Sequence, residues 1–236
     1  MTWLFDNFDY VWSLTVRHMW LSAVPIVIGF LVALPIGWYA SNHPRLRGPL
    51  LGLIGILYTI PSLPMFAVLP FIIGAGFLSP INVIVGLSIY AVAIMVRSAS
   101  DAFGSVSPAV LDAASASGFS PMQRALTVQL PLAGPVLLAG LRVVAVSTVS
   151  LVSVGALIGV SSLGSLFTDG FHRSFNTEIM IGIVATVLVA LFFDLLLVVI
   201  GRILMPWSSL TRPTRTVRSP VTPMGQFFQA LRGGRV

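Results

Sequence analysis

The sequence predicts an all-α, polytopic membrane protein of about five transmembrane helices, and three observations carry that prediction. Apolar residues make up 56% of the 236 and charged residues only 8%, against roughly 25% charged in a soluble domain. Mean hydropathy is +0.98. Residues 48–96 contain no Asp, Glu, Lys or Arg, while one helical span needs about 20 mostly apolar residues. In lipid the backbone must satisfy its own polar groups, which leaves helices or closed barrels. The apolar runs here are too long and too continuous for barrel strands.

Taken in order, residues 1–19 hold Asp6, Asp9, Arg17 and the boundary-type aromatics Trp3 and Trp12. They lack the basic start and apolar centre of a removable signal and read as a short external interfacial helix. The transmembrane domain is expected over residues 20–204, with spans near 20–40, 49–68, 82–98, 133–158 and 178–202. Pro61, Pro64 and Pro70 interrupt the second span, and a Gly74–Gly76 turn followed by Ser79 and Pro80 opens the third. A polar cytoplasmic loop, with residues 104–131 at its heart, leads to the fourth span. An external segment covers 160–177. Residues 205–236, rich in Pro and Arg, read as a cytoplasmic, mostly disordered basic tail. No internal repeat supports an inverted-repeat secondary transporter.

Charge sets the orientation. All 13 basic residues are Arg, and the net charge is +6. Cytoplasmic loops accumulate such residues. Arg45, Arg47, Arg97, Arg124, Arg202, Arg212, Arg215, Arg218, Arg232 and Arg235 fall on one side of the predicted spans, and only Arg17 and Arg173 on the other. The N-terminus is therefore expected outside and the C-terminus inside. The basic balance is a topology signal beside anionic lipid, and nucleic acid is not an expected partner. There is no Cys, which excludes disulfides and thiolate metal sites. His18, His43 and His172 are scattered without ligand spacing, so no metal site is expected.

The informative stretch is residues 105–131, SVSPAVLDAASASGFSPMQRALTVQLP. Ser107 before Pro108 offers an N-cap and a first-turn proline. Gly118 suits a left-handed C-terminal cap. Ser120 before Pro121 repeats the start signal. The expected outcome is helix, glycine turn and a second short helix ending where the fourth span begins. Ala113, Ala114, Ser115 and Ala116 make the first helix small-sided, so another surface can approach it closely. Leu111, Phe119 and Met122 are the apolar contacts such a surface would cover.

This stretch resembles the EAA loop of binding-protein-dependent ABC importer permeases. Asp112, Ala113, Ala114, Gly118, Val128, Leu130 and Pro131 occupy the motif's positions, with Asp where Glu is usual and Gln129 at a position the motif leaves open. The segments YTIPSLPMFAVLP (58–70), YAVAIMVRSASDAF (90–103), GLR (140–142), IGVSSLG (158–164) and FFDLLL (192–197) are similar to osmoprotectant permeases for glycine betaine, choline, carnitine or related quaternary amines. The resemblance implies a non-catalytic inner-membrane subunit that dimerises with an identical or paralogous permease. It implies cytoplasmic ATPases docked on Asp112, Ala113, Ala114, Gly118, Phe119, Leu130 and Pro131, and an external substrate-binding protein. No cofactor is expected in this chain, Mg-ATP belonging to the partner ATPase. A different small solute, or an energy-independent channel, is the alternative.

Two further groups stand out. Tyr58, Thr59, Pro61, Ser62 and Pro64 are candidates to line the translocation pathway, since broken helices at membrane depth usually face protein or a watery cavity; the plain alternative is packing around kinks. Tyr58, Phe66 and Tyr90 are candidates to offer aromatic faces to a quaternary amine; the plain alternative is packing within a span. Arg142 and Asp194, ionisable and well inside spans, are expected to form an ion pair, with Arg202 the competing partner for Asp194. An intramembrane hydrolase lacks parts on this reading: there is no Cys, no His within a predicted span and one mid-span acid.

Overall fold

The structure is a computed structural model that describes residues 2–207. Every regular element among them is helical. A short α1 (Thr2–Asp6) precedes α2 (Phe8–Asn42), α3 (Pro44–Thr59), α4 (Ser62–Ile73) and α5 (Pro80–Gly104). Then come α6 (Pro108–Ala116), α7 (Pro121–Gln123), a π-helical stretch (Arg124–Gln129) and α8 (Leu130–Val152). A 3₁₀ segment (Ser153–Ile158), α9 (Gly164–His172) and α10 (Asn176–Leu204) complete the chain. Four helical segments are long and apolar enough to cross a membrane, and the bent pair α3–α4 makes a fifth if it counts as one span.

The centre of the bundle is α5, whose Val83, Leu87, Met95, Val96 and Ala99 are inaccessible to solvent. Helix α2 lies against it along Gly29, Ala33, Gly37 and Ala40, a small residue every three or four positions. Small residues let helix backbones approach closely, which is how spans associate without a hydrophobic drive. A Cβ on Gly29 would stand 2.5 Å from the Ala91 Cβ, and one on Gly37 would stand 2.9 Å from the Ser100 nitrogen. Helix α8 packs against α5 at Gly140, beside Ser98, and α10 packs against α8 and α9. Only 17% of the most apolar window of α10 is buried, the smallest share among the four long spans.

Several boundaries differ from the sequence reading. Residues 8–19 are not a separate segment, because α2 runs unbroken from Phe8. Val11, Leu14, His18, Leu21, Ser22, Pro25 and Ile26 form one buried stripe at three- and four-residue spacing, and that continuity outweighs the polar residues on the outer face. Pro25 and Pro35 leave α2 helical. In the second span only Pro61 breaks the helix, with Ile60 and Pro61 both extended; Pro64 and Pro70 lie inside α4, and the two halves meet at 96°. Helix α5 continues past residue 98, so Arg97 belongs to a helix rather than a loop. Ala99, Ala102 and Phe103 extend its buried face. The segment 160–177 contains α9. The basic tail falls outside the described residues from Ser208 onward.

Candidate functional site

Helix α6 has no buried residue. Pro108 begins it after Ser107, whose backbone carbonyl accepts from Val110 and Leu111; its hydroxyl makes no cap bond, so half of the expected start signal is absent. The end is as the sequence foreshadows. Gly118 takes φ +84°, and Phe119 N–H reaches back to the Ala114 carbonyl at 3.2 Å, the six-to-one bond of a glycine-terminated helix. Asp112 and Ala113 are exposed and Ala114 is half-buried. Asp112 has no hydrogen bond or ion pair among the described residues, so its carboxylate is available to a partner.

Beyond the turn, Ser120 and Gln123 form a reciprocal capping box. The Ser120 hydroxyl accepts from Gln123 N–H at 3.3 Å, and the Gln123 side chain accepts from Ser120 N–H at 3.0 Å. A second short helix does not follow, because α7, the π stretch and α8 continue as one helical segment from Pro121 to Ile158. Pro131 lies within that continuous segment just past the π stretch, where its missing N–H withholds one backbone hydrogen bond. Phe119 and Met122 are exposed, at 42% and 64%. Leu111 instead turns inward and packs on the core, as does Leu130. Val110 takes the outward place, 41% exposed.

The pathway candidates Tyr58, Thr59, Pro61, Ser62 and Pro64 gather at the α3–α4 corner. All are exposed except the half-buried Ser62. The corner is fastened by Tyr90, whose hydroxyl donates to the Ile60 carbonyl, freed from helical bonding by the Pro61 break. Tyr58 meets Tyr90 edge to face, centroids 5.9 Å apart. Tyr90 is 3% exposed and Phe66 is fully buried, the latter against Gly86. Phe66 and Tyr90 are therefore packing residues, the plain alternative of the sequence reading, while Tyr58 is 51% exposed.

Arg142 of α8 and Asp194 of α10 come together as a two-pronged pair, Nε–Oδ1 at 2.6 Å and Nη2–Oδ2 at 2.8 Å. Parallel bonds of this kind fix orientation as well as charge. Arg202, two turns further along α10, is exposed and takes no part.

Four polar features were not foreseen. Arg47 pairs with Asp101 at 2.6 Å, tying α3 to α5. Arg173 pairs with the fully buried Glu178 at 2.6 Å, where Glu178 occupies the first turn of α10, the end of a helix that favours an acid. Gln129, 3% exposed, accepts from Trp38 Nε1 at 3.0 Å and donates to the Phe103 carbonyl at 3.3 Å. His18 lies fully buried within α2, correcting the expectation of no His in a span. Its Nε2 is 3.0 Å from the Val149 carbonyl. A visible signal existed for Glu178, five residues after Arg173. Gln129 and His18 carried none, since a lone polar residue in an apolar helix names no partner.

The family model described as "Binding-protein-dependent transport system inner membrane component" matches residues 26–209. The osmoprotectant import permease protein OsmW of Salmonella typhimurium is 30% identical over 83% of this chain and 92% of its own. The glycine betaine/carnitine/choline transport system permease protein OpuCD of Bacillus subtilis is 30% identical over 87% of this chain and 89% of its own. The carnitine transport permease protein OpuCD of Listeria monocytogenes is 29% identical over 88% and 92%. Among solved structures, an inward-facing MetNI methionine ABC transporter chain superposes with a TM-score of 0.74 at 20% identity, covering 88% of this chain and 99% of that one. That likeness is one of fold.

Proposed function

Because the chain belongs to the binding-protein-dependent transport system inner membrane components, we propose that it is the membrane-spanning permease subunit through which an ATP-driven importer carries an osmoprotectant of the quaternary-amine class. In this reading cytoplasmic ATPases dock on α6, a second permease chain completes the pathway, and an external binding protein delivers glycine betaine, choline or carnitine. Mg-ATP binds to the ATPase partner, and this chain supplies no catalytic group. The carrying observation is α6 itself: an exposed, small-sided helix whose Asp112 is unpaired among the described residues, ended by a left-handed Gly118 at the motif's spacing. The names of relatives at about 30% identity over most of their length support the substrate class.

The test is uptake of radiolabelled glycine betaine, choline and carnitine by proteoliposomes holding the full importer, alongside ATP hydrolysis. Gly118→Val places a β-branched residue at positive φ, where left-handed backbone costs about 1–2 kcal/mol; Ala114→Arg puts bulk and charge on the docking face. Both variants should insert normally yet lose uptake by on the order of tenfold, with the ATPase either released or hydrolysing ATP unproductively. Normal uptake and normal stimulation by the binding protein in both variants would falsify the docking role of α6.

Orientation is tested separately in this Cys-free chain. Single Cys at Ser161 should react with an impermeant thiol reagent in intact cells, and Cys at Ser117 only after permeabilisation. The reverse pattern puts α6 outside and removes it from any contact with a cytoplasmic ATPase.

A further inference from the structure

We propose that Gln129 is a positioning residue that carries movement of α6 into two membrane helices, through a π-helical turn that holds a register an α-helix does not. The proposal rests on the docking of an ATPase on α6 argued above.

Three side-chain hydrogen bonds flank the π stretch, whose backbone joins them. Arg124 Nη1 donates to the Ser115 hydroxyl on α6 at 2.8 Å. Arg124 and Gln129 are the first and last residues of the π stretch. Gln129 then accepts from Trp38 of α2 at 3.0 Å and donates to the Phe103 carbonyl near the end of α5 at 3.3 Å. The exposed helix is thus joined to both partners of the tightest helix pair in the bundle. The Phe103 carbonyl, in the last turn of α5, also accepts from Val106 N–H at 3.5 Å, and Gln129 supplies the shorter bond.

The register matters as much as the bonds. A π turn accommodates one residue more than an α turn, and such turns concentrate at functional positions. Returning Arg124–Gln129 to α geometry would shift the register by one residue, a rotation of about 100° on an α-helix. Arg124 facing Ser115 and Gln129 facing Trp38 and Phe103 are compatible in the π form and not in the other. A pull on α6 reaches Gln129 through the exposed Arg124–Ser115 bond and the helical backbone from Pro121 onward, and either moves α2 and α5 or breaks a hydrogen bond along that path. The importer motif leaves position 129 open, so docking does not by itself require an amide there.

Two substitutions separate this role from simple stability. Gln129→Leu keeps the volume and deletes both bonds; Trp38→Phe deletes the indole donor, trims a ring that packs on the core and leaves the Gln129–Phe103 bond in place. Both are assayed in the full importer in proteoliposomes, measuring glycine betaine, choline or carnitine taken up per ATP hydrolysed, with retained ATPase quantified. The expected result is that the complex stays assembled and hydrolyses ATP, while uptake per ATP falls roughly fivefold or more, the lower end of typical coupling between sites. If Gln129→Leu does not assemble, Trp38→Phe decides. An unchanged ratio, or uptake and hydrolysis falling together, overturns the proposal. A wild-type complex whose ATPase ignores the binding protein would instead remove the underlying reading, and this one with it.

Discussion

Gly37→Leu is expected to abolish accumulation of folded protein. The new Cβ alone would lie 2.9 Å from the Ser100 nitrogen and 3.0 Å from the Ala99 carbonyl carbon. These are backbone atoms of the central helix, and no rotamer change relieves them. Overpacking a tight interior typically costs about 1–3 kcal/mol where side chains can adapt, and here the backbone itself must separate. Gly52→Leu is the matched control, since nothing lies within 4 Å of a Cβ there. Membrane yield, monodispersity on gel filtration and the melting transition decide the matter. A Gly37→Leu protein that purifies and melts like the parent contradicts the close α2–α5 contact.

Asp194→Ala should be nearly as damaging. It leaves the Arg142 guanidinium without its two-pronged partner, at a depth where charges survive by pairing or by reaching water. Assembly and uptake should fall on the order of tenfold, while exchanging the charges, Arg142→Asp with Asp194→Arg, should recover part of the loss. If Arg142→Ala matches the parent while Asp194→Ala does not, the pair seen at 2.6 Å is not what Asp194 serves, and Arg202 becomes the candidate to test.

The legible parts of this fold are those with a one-dimensional signature. Apolar length marked the spans, Gly118 marked the end of α6, and the Arg142–Asp194 encounter followed from equal depth along two helices. Packing set the remainder. A buried stripe from Val11 to Ile26 keeps α2 whole across a segment whose composition suggested an interface. Pro61 breaks its helix, with Ile60 and Pro61 extended, whereas Pro64 falls in the first turn of α4, where a missing N–H costs no helical bond; Tyr90 takes the Ile60 carbonyl. Leu111 turns inward where Val110 turns out, a one-residue phase that composition does not specify. Gln129 acquires meaning only when Trp38 and Phe103, from two distant segments, arrive beside it.

The continuity of α2 has a mechanical consequence. At about 1.5 Å per residue, its 35 residues extend roughly 52 Å, well beyond a hydrocarbon layer of about 30 Å. The glycine contacts grip it at positions 29 and 37, and its outer half, roughly 32 Å from Gly29 to Phe8, packs Val11, Leu14 and Ile26 against α8, α9 and α10. Trp3, in α1 beyond that end, rests edge-on against Phe175 at the entrance to α10, ring centroids 5.8 Å apart. A single rod held along both halves hands a tilt at its inner end to α8, α9 and α10 together instead of absorbing it.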